Sequence, residues 1–417
     1  QLAPMLLVGL LTSSPIGMMD GSADFYKLSA STLLPDGVTP QNLTITTVRG
    51  DHAVCLDGSQ AAFYFRPGSG TGAKKWHIHH QGGGWCESLD DCLQRSTTAL
   101  GTSKNYTDTM TQETGYFSEN PDQNPMMYNW NTVYMPYCDG ASFSGNNAST
   151  TVHNGTALHF RGWHIRKAIQ ASLLAGTMAN PAPAKLSDAT DVVIGGCSAG
   201  GLATYLHTDQ WCDAVHAVNA QAKCVGLPDS GFFIDYQNPT VPAQPPVAAA
   251  ERLGNTIAGN YHAGLKWAHD IQNASAGINV DCVAAHQSTH DDWKCMFAEH
   301  TAPFIHTPIF AMQSEYDSWQ IHHVLLTRHT KDPDSIQTLG DNITARITAD
   351  LFTPHPSSGS FLDSCQHHCG FWNNIRIDGD YVAAAFTKWY NGIGVAGSKT
   401  VWKQGKPYPC ADCCRMP

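Results

Sequence analysis

The chain has 417 residues, 42% of them apolar and only 14% charged, so it can bury a large core and is no disordered polymer. Its 24 Lys and Arg against 35 Asp and Glu leave a formal charge of −11, which excludes the concentrated basic face that nucleic-acid binding needs. The 21 histidines are numerous enough to reverse that sign if all were protonated, so the expected field changes in mildly acidic surroundings.

In chain order, residues 5–11 form an apolar run of the length of a signal-peptide core or a mature strand, and residues 1–45 are set apart as an N-terminal segment. No low-complexity tract or long linker follows, so one α/β domain enlarged by insertions is expected over 46–417. Short apolar runs, each closed by glycine or a polar turn and followed by helical spacing, predict a mostly parallel sheet flanked by helices. Strands are expected at 62–65, 76–80, 132–137, 191–194, 224–227, 308–311 and 360–362, with helices over 159–174 and 202–215. Between 238 and 307, Pro239, Pro242, Pro245 and Pro246 and then Trp, His and Cys residues break the rhythm; this stretch is expected to be an insertion or cap beside the site. No apolar run reaches the roughly 18 residues of a membrane span.

Fourteen cysteines, with close sets at Cys86/Cys92, Cys365/Cys369 and Cys410/Cys413/Cys414, read as disulfides in preference to metal clusters. Six glycosylation sequons, at Asn42, Asn105, Asn147, Asn154, Asn273 and Asn342, agree, and together these features predict a secreted glycoprotein. Cys197 is expected to be a buried free thiol in a crowded turn, which would leave at least one other cysteine unpaired.

The most informative segment runs from Asp191 to Gly201, an apolar strand entering Gly-x-Ser-x-Gly and then a helix. That context is what a nucleophile elbow requires: glycines let strand and helix approach, Ser198 is lifted above the sheet, and the helix N-terminus faces a developing oxyanion. A serine nucleophile needs a histidine base held by a carboxylate, following in the order Ser, Asp, His after later strands. Asp317 is the carboxylate candidate, with Glu315 its rival. The histidine candidates are His322, His323, His329, His355, His367 and His368; the last two follow a strand and sit between cysteines, and pattern alone does not separate them. The run Gln81-Gly82-Gly83-Gly84-Trp85 after an early strand suits an oxyanion loop, with amides of Gly83, Gly84, Trp85 and Ala199 as donors. A metal set of His77, His79 and His80 is the rival use of that strand, with buried histidines the simpler account.

With these blocks in place, the sequence resembles the pectin acetylesterase family, the plant and algal esterases related to the animal carboxylesterase Notum. The resemblance runs from Ala53-Val-Cys-Leu-Asp-Gly-Ser59 through Tyr137-Cys-Asp-Gly-Ala-Ser-Phe-Ser-Gly145, Gly196-Cys-Ser-Ala-Gly-Gly-Leu202, Asp229-Ser-Gly-Phe-Phe233, Tyr316-Asp-Ser-Trp-Gln-Ile321 and Ser364-Cys-x-x-His368-Cys369 to Pro407-Tyr-Pro-Cys410, in plant-type spellings. It implies an α/β-hydrolase fold, Ser198 as nucleophile, Asp317 as orienter and His368 as base, and the glycine loop with Ala199 as oxyanion hole. Gln81 stands where the family has glutamate. The implied activity is removal of acetyl groups from cell-wall polysaccharide, pectin foremost, by a monomer needing no metal or cofactor. Trp85, Phe232, Phe233 and Trp319 are the candidates for binding sugar or acyl group. The alternatives are an esterase removing a longer acyl chain from a lipidated protein, and a polysaccharide-binding protein without catalysis.

Overall fold

Apolar runs bounded by turns have become parallel strands buried on both faces, as the pattern demands. The computed structural model describes residues 52–176, 184–236, 261–325, 332–410 and 412–414, and the backbone of 43–47. The strands are β1 (Leu43–Thr47), β2 (Ala62–Arg66), β3 (Lys75–His80), β4 (Thr109–Met110), β5 (Asn131–Met135), β6 (Thr151–His153), β7 (Thr156–Leu158), β8 (Asp191–Cys197), β9 (Lys223–Asp229), β10 (Phe310–Ser314), β11 (Gly359–Asp363), β12 (Arg376–Ile377), β13 (Asp380–Tyr381) and β14 (Val401–Lys403). Ten of them form one sheet in the order β14-β11-β10-β9-β8-β3-β5-β2-β1-β4. The run from β14 to β5 is parallel; β2, β1 and β4 continue it antiparallel. β6 with β7 and β12 with β13 are separate hairpins.

The period of two along β8 sorts its side chains between two cores. Val192 and Ile194 pack with Ile165, Leu202 and Leu206 on one face, whereas Val193 packs with Phe386 and Trp389 on the other. The first three of those partners lie on α2 (Gly162–Ala175) and α3 (Ala199–His216), which follow α1 (Leu89–Arg95). Expected and observed strands coincide to within a few residues. β5 stops at Met135 because Pro136, lacking an amide, cannot extend the ladder. β10 begins two residues after Pro308 and runs on to Ser314. α3 starts three residues earlier than its apolar spacing suggests, because small residues behind Ser198 continue the helix into the turn.

Past residue 260 the expected insertion consists of α4 (Tyr261–Gln272), α5 (Val280–His286), α6 (Ala298–Thr301) and short 3₁₀ turns, joined by the Cys282–Cys295 bridge. Leu265, Met296 and Phe297 belong to the same buried cluster as Ile194 and Leu202, so this stretch is part of the main core. Its four prolines, the run at 5–11 and Asn42 lie outside the described residues. β1 straddles residue 45, the expected end of the N-terminal segment. Of the other sequon asparagines, Asn105, Asn154, Asn273 and Asn342 are exposed, while Asn147 is half-buried with its amide on the Ile271 carbonyl at 3.0 Å. No helix among the described residues is long and apolar enough to cross a membrane.

Packing is close where β3, β8 and α3 converge. A Cβ at Gly200 would stand 2.1 Å from the His80 carbonyl oxygen, so Gly200→Ala is expected to cost about 1–3 kcal/mol of stability, measurable by denaturant unfolding.

Candidate active site

In an open α/β sheet the place for a ligand is outside the carboxyl ends of the parallel strands, and the candidate residues gather there. β8 ends on Cys197 and α3 begins on Ala199, so Ser198 makes the turn at φ 59° and ψ −125°, a left-handed conformation rare for a serine. Missing side chains hold it there. A Cβ on Gly196 would meet the Gly200 carbonyl oxygen at 2.1 Å, and one on Gly82 the Cys197 carbonyl oxygen at 2.3 Å. The Ser198 amide donates to the Asp229 carbonyl at the end of β9, at 2.9 Å.

Asp317 follows β10 and is completely buried at the head of α7 (Ser318–His323). Its Oδ1 accepts the Gln320 amide at 2.8 Å, and its Oδ2 faces His368 Nδ1 at 2.7 Å. A ring held through Nδ1–H presents Nε2 as the basic atom, and Nε2 has no partner among the described residues. Glu315, the rival, is turned away: its oxygens accept from Thr344 and Ser364. His367 likewise points elsewhere, with Nε2 at 2.9 and 3.0 Å from the two Asp363 oxygens. His355 contacts the Pro303 carbonyl, His322 and His323 bind carbonyls of their own helix, and His329 lies outside the described residues.

One expectation is overturned. Cys197 is not a free thiol: it is bonded to Cys369, and no free cysteine is present among the described residues. The turn has room because Cys197 closes a strand whose next neighbour in space is the histidine loop. With Cα atoms 6.0 Å apart, this bridge joins the residue before Ser198 to the residue after His368. Cys365 pairs with Cys414 rather than with its neighbour Cys369, and Cys86 pairs with Cys92 and Cys410 with Cys413. The end of β9 completes the clamp, as Ser230 Oγ accepts the Cys369 amide at 2.8 Å and Asp229 Oδ2 the Gly370 amide at 3.0 Å.

The glycine loop lies over the same turn. Gly83 and Gly84 have φ of 143° and 65°, values that favour glycine, and a Cβ on Gly84 would meet nothing within 4 Å. The Gly83 carbonyl is drawn back by Arg95 Nη1 at 2.9 Å. The amides of Gly83, Gly84, Trp85 and Ala199 make no hydrogen bond among the described residues. Ser142 ties the two sources of amides together, accepting from Trp85 Nε1 and donating to the Ala199 carbonyl, both at 2.8 Å. Gln81 Oε1 accepts the Tyr137 amide at 2.9 Å, a bond that uses only the acceptor that glutamine and glutamate share.

Of the aromatic candidates, Trp85, Phe233 and Trp319 interlock edge to face at centroid distances of 5.0 to 5.6 Å, and Phe233 and Trp319 each lie 6.3 Å from the His368 ring. Phe232 corrects the expectation. Its ring is fully buried and packs into the core against Tyr205. The histidines of β3 are core residues. His77 and His79 pack against Phe117 and Tyr116, while His80 on the other face donates to the Gly195 carbonyl and accepts from Trp211. Burial pushes His77 and His80 down to about 3, and lowers His79 and His207 as well, so these four stay neutral in mild acid and the charge swing is smaller than composition suggested. Among the described residues, two other sets of donors lie close enough to hold a metal. In Cys282/His286/Cys295 both sulfurs are spent on a disulfide, and in Asp235/Glu299/His300 the carboxylates already hold His262, His300, Arg346 and the Asp235 amide.

The sequence profile named Pectinacetylesterase matches residues 38–415. The chain belongs to the pectin acetylesterase family. Among its relatives, pectin acetylesterase 5 of Arabidopsis thaliana is 35% identical over 388 residues, covering 87% of this chain and 82% of the relative. Pectin acetylesterase 4 of the same plant is 31% identical over 387 residues, covering 87% and 85%. Human palmitoleoyl-protein carboxylesterase NOTUM is 25% identical over 420 residues, covering 96% and 77%. The Drosophila Wnt deacylase Notum superposes with a TM-score of 0.72 at 23% identity, over 90% of this chain and 100% of that structure, a likeness of fold. Like the pectin acetylesterases and Notum enzymes it matches, this chain is a carboxylic-ester hydrolase.

Within this pectin acetylesterase framework, sequence reasoning missed Arg95, Ser142 and Ser230. All three act through backbone groups of other segments and carry no local signal.

Two expectations follow from the clamp around His368. Because a small misplacement of a base costs about 10²-fold, replacing Cys197 and Cys369 together by alanine should lower kcat by one to two orders of magnitude while the protein stays folded by circular dichroism. The second concerns the buried His367–Asp363 pair. Burial alone would lower the His367 pKa, but the Asp363 charge and hydrogen bond, with Asp229 and Asp317 beyond, raise it above the ordinary value. A raised value in the folded state means that the pair stabilises fully below the unfolded pKa of about 6.5 and fades as pH rises through the folded one. His367→Gln should therefore lower the unfolding midpoint more at about pH 5 than at about pH 9.

Proposed function

We propose that this chain hydrolyses acetyl esters of cell-wall polysaccharide, with acetylated pectin as substrate, through Ser198, His368 and Asp317. The observation that carries the reading is the histidine: Nδ1 fixed on a fully buried carboxylate, Nε2 unpartnered, and a disulfide binding its loop to the serine turn. His368 Nε2 takes the Ser198 proton as Oγ attacks the ester carbonyl, and Asp317 steadies the imidazolium. The oxyanion is received by Ala199 and by two amides among Gly83, Gly84 and Trp85, with the N-terminal end of α3 adding its field. His368 passes the proton to the departing sugar oxygen, leaving an acetyl-enzyme. Water, deprotonated by the same histidine, then frees acetate.

The acyl group in this reading is acetyl, and the interlocked rings of Trp85, Phe233 and Trp319 form an aromatic wall beside His368. The pectin acetylesterases of Arabidopsis, at higher identity than the palmitoleoyl-protein carboxylesterases, favour the same substrate class. Secretion into an oxidising, wall-like environment belongs to this reading, supported by seven disulfides and by exposed sequon asparagines. Ser198→Ala should lower acetate release from acetylated pectin by about 10⁴-fold or more, and the unaltered enzyme should cleave an aryl acetate far faster than the matching octanoate. Full activity in the variant, or a preference for octanoate, would refute the proposal.

A further inference from the structure

The insertion supplies one buried polar group that the reaction above leaves unused. Tyr261 opens α4 and is only 4% exposed. Its ring packs against Trp85 and Trp319 at 5.8 Å and Phe233 at 6.3 Å, so it joins the aromatic group beside His368. On its far side it meets Phe297 at 5.7 Å. Its hydroxyl nevertheless has no hydrogen-bond partner among the described residues. Burial, together with the carboxylates of Glu87, Asp235, Glu299 and Asp317, holds the phenol well above its ordinary pKa, so it is a donor throughout the working range. An unpaired buried hydroxyl costs stability, and phenylalanine would fill nearly the same volume without that cost. Among the described residues no group satisfies this donor, which leaves it available to a substrate.

Which substrate atom accepts from it follows from the acetyl-ester reading, on which this inference rests. An acetyl group brings one oxygen besides the ester link, its carbonyl, and that oxygen goes to the amides of the glycine loop and Ala199. The bridging oxygen is reserved for the proton from His368. We infer that the Tyr261 hydroxyl donates to a ring or hydroxyl oxygen of the sugar on the alcohol side of the ester, and that Tyr261 is a specificity-determining residue for carbohydrate esters. It separates a sugar acetate from a plain acetate by a bond that only the sugar can accept.

Tyr261→Phe removes a single oxygen and keeps the ring. On an acetylated oligogalacturonide its kcat/KM should fall about tenfold, the scale of one lost hydrogen bond. On nitrophenyl acetate, which has no sugar oxygen, it should stay within about twofold of the unaltered enzyme, and the unfolding midpoint should not drop. Equal loss on both substrates, or no loss on either, overturns the assignment. So does a changed ratio of acetate to octanoate cleavage, which would put the hydroxyl on the acyl side. If the unaltered enzyme cleaves nitrophenyl acetate but frees no acetate from the oligosaccharide, the polysaccharide reading itself fails and this inference falls with it.

Discussion

The site depends on several backbones meeting at one point with no side chains between them. Gly82, Gly196, Gly200 and Gly201 each sit where a Cβ would stand within 2.1 to 2.5 Å of another residue's backbone oxygen. Only that absence lets the ends of β3, β8 and β9 and the start of α3 crowd around Ser198. The serine's left-handed conformation is a consequence, imposed by surroundings that over-determine it. From the same crowding come the position of the hydroxyl at the tip of the turn, the nearness of the glycine-loop amides and the direction of the α3 dipole.

A turn this tight fixes the serine but not the groups that must act on it, which arrive on loops after β10 and β11. Covalent and polar ties perform that alignment. Cys197–Cys369 spans from the serine turn to the histidine loop, Asp229 and Ser230 hold the amides that follow His368, and the Ser318 amide donates to the His367 carbonyl at 3.0 Å. The histidine is thus held by β8, β9 and β10 at once. Arg95 and Ser142 perform the same service for the oxyanion loop, one drawing a carbonyl away and the other bridging Trp85 to Ala199.

Histidine content has two meanings here. On β3, and at His207 of α3, the imidazoles are neutral core groups that satisfy buried carbonyls or pack on aromatic rings, and a low-dielectric setting keeps them uncharged. At His367 the same side chain is drawn towards its charged form by three buried carboxylates, one residue from the imidazole that serves as base in the proposed reaction. Composition counts these residues alike; burial and the nearest charge separate them.

By itself, the sequence determined the elements whose signal is local. The strand, turn and helix around Ser198, the glycine run after β3 and the placement of Asp317 after a strand are each written in a dozen consecutive residues, because strand burial, glycine geometry and helix spacing are short-range properties. The separation of His368 from His367 needed the likeness to related sequences, and their opposite carboxylate partners give it a physical basis. Only the tertiary structure decided that Cys197 is bridged, that Phe232 belongs to the core while Phe233 faces His368, and that Arg95, Ser142 and Tyr261 converge on the site. Those facts join segments 12 to 176 residues apart, and no local pattern encodes a distance through space; packing of the sheet and its insertion sets it.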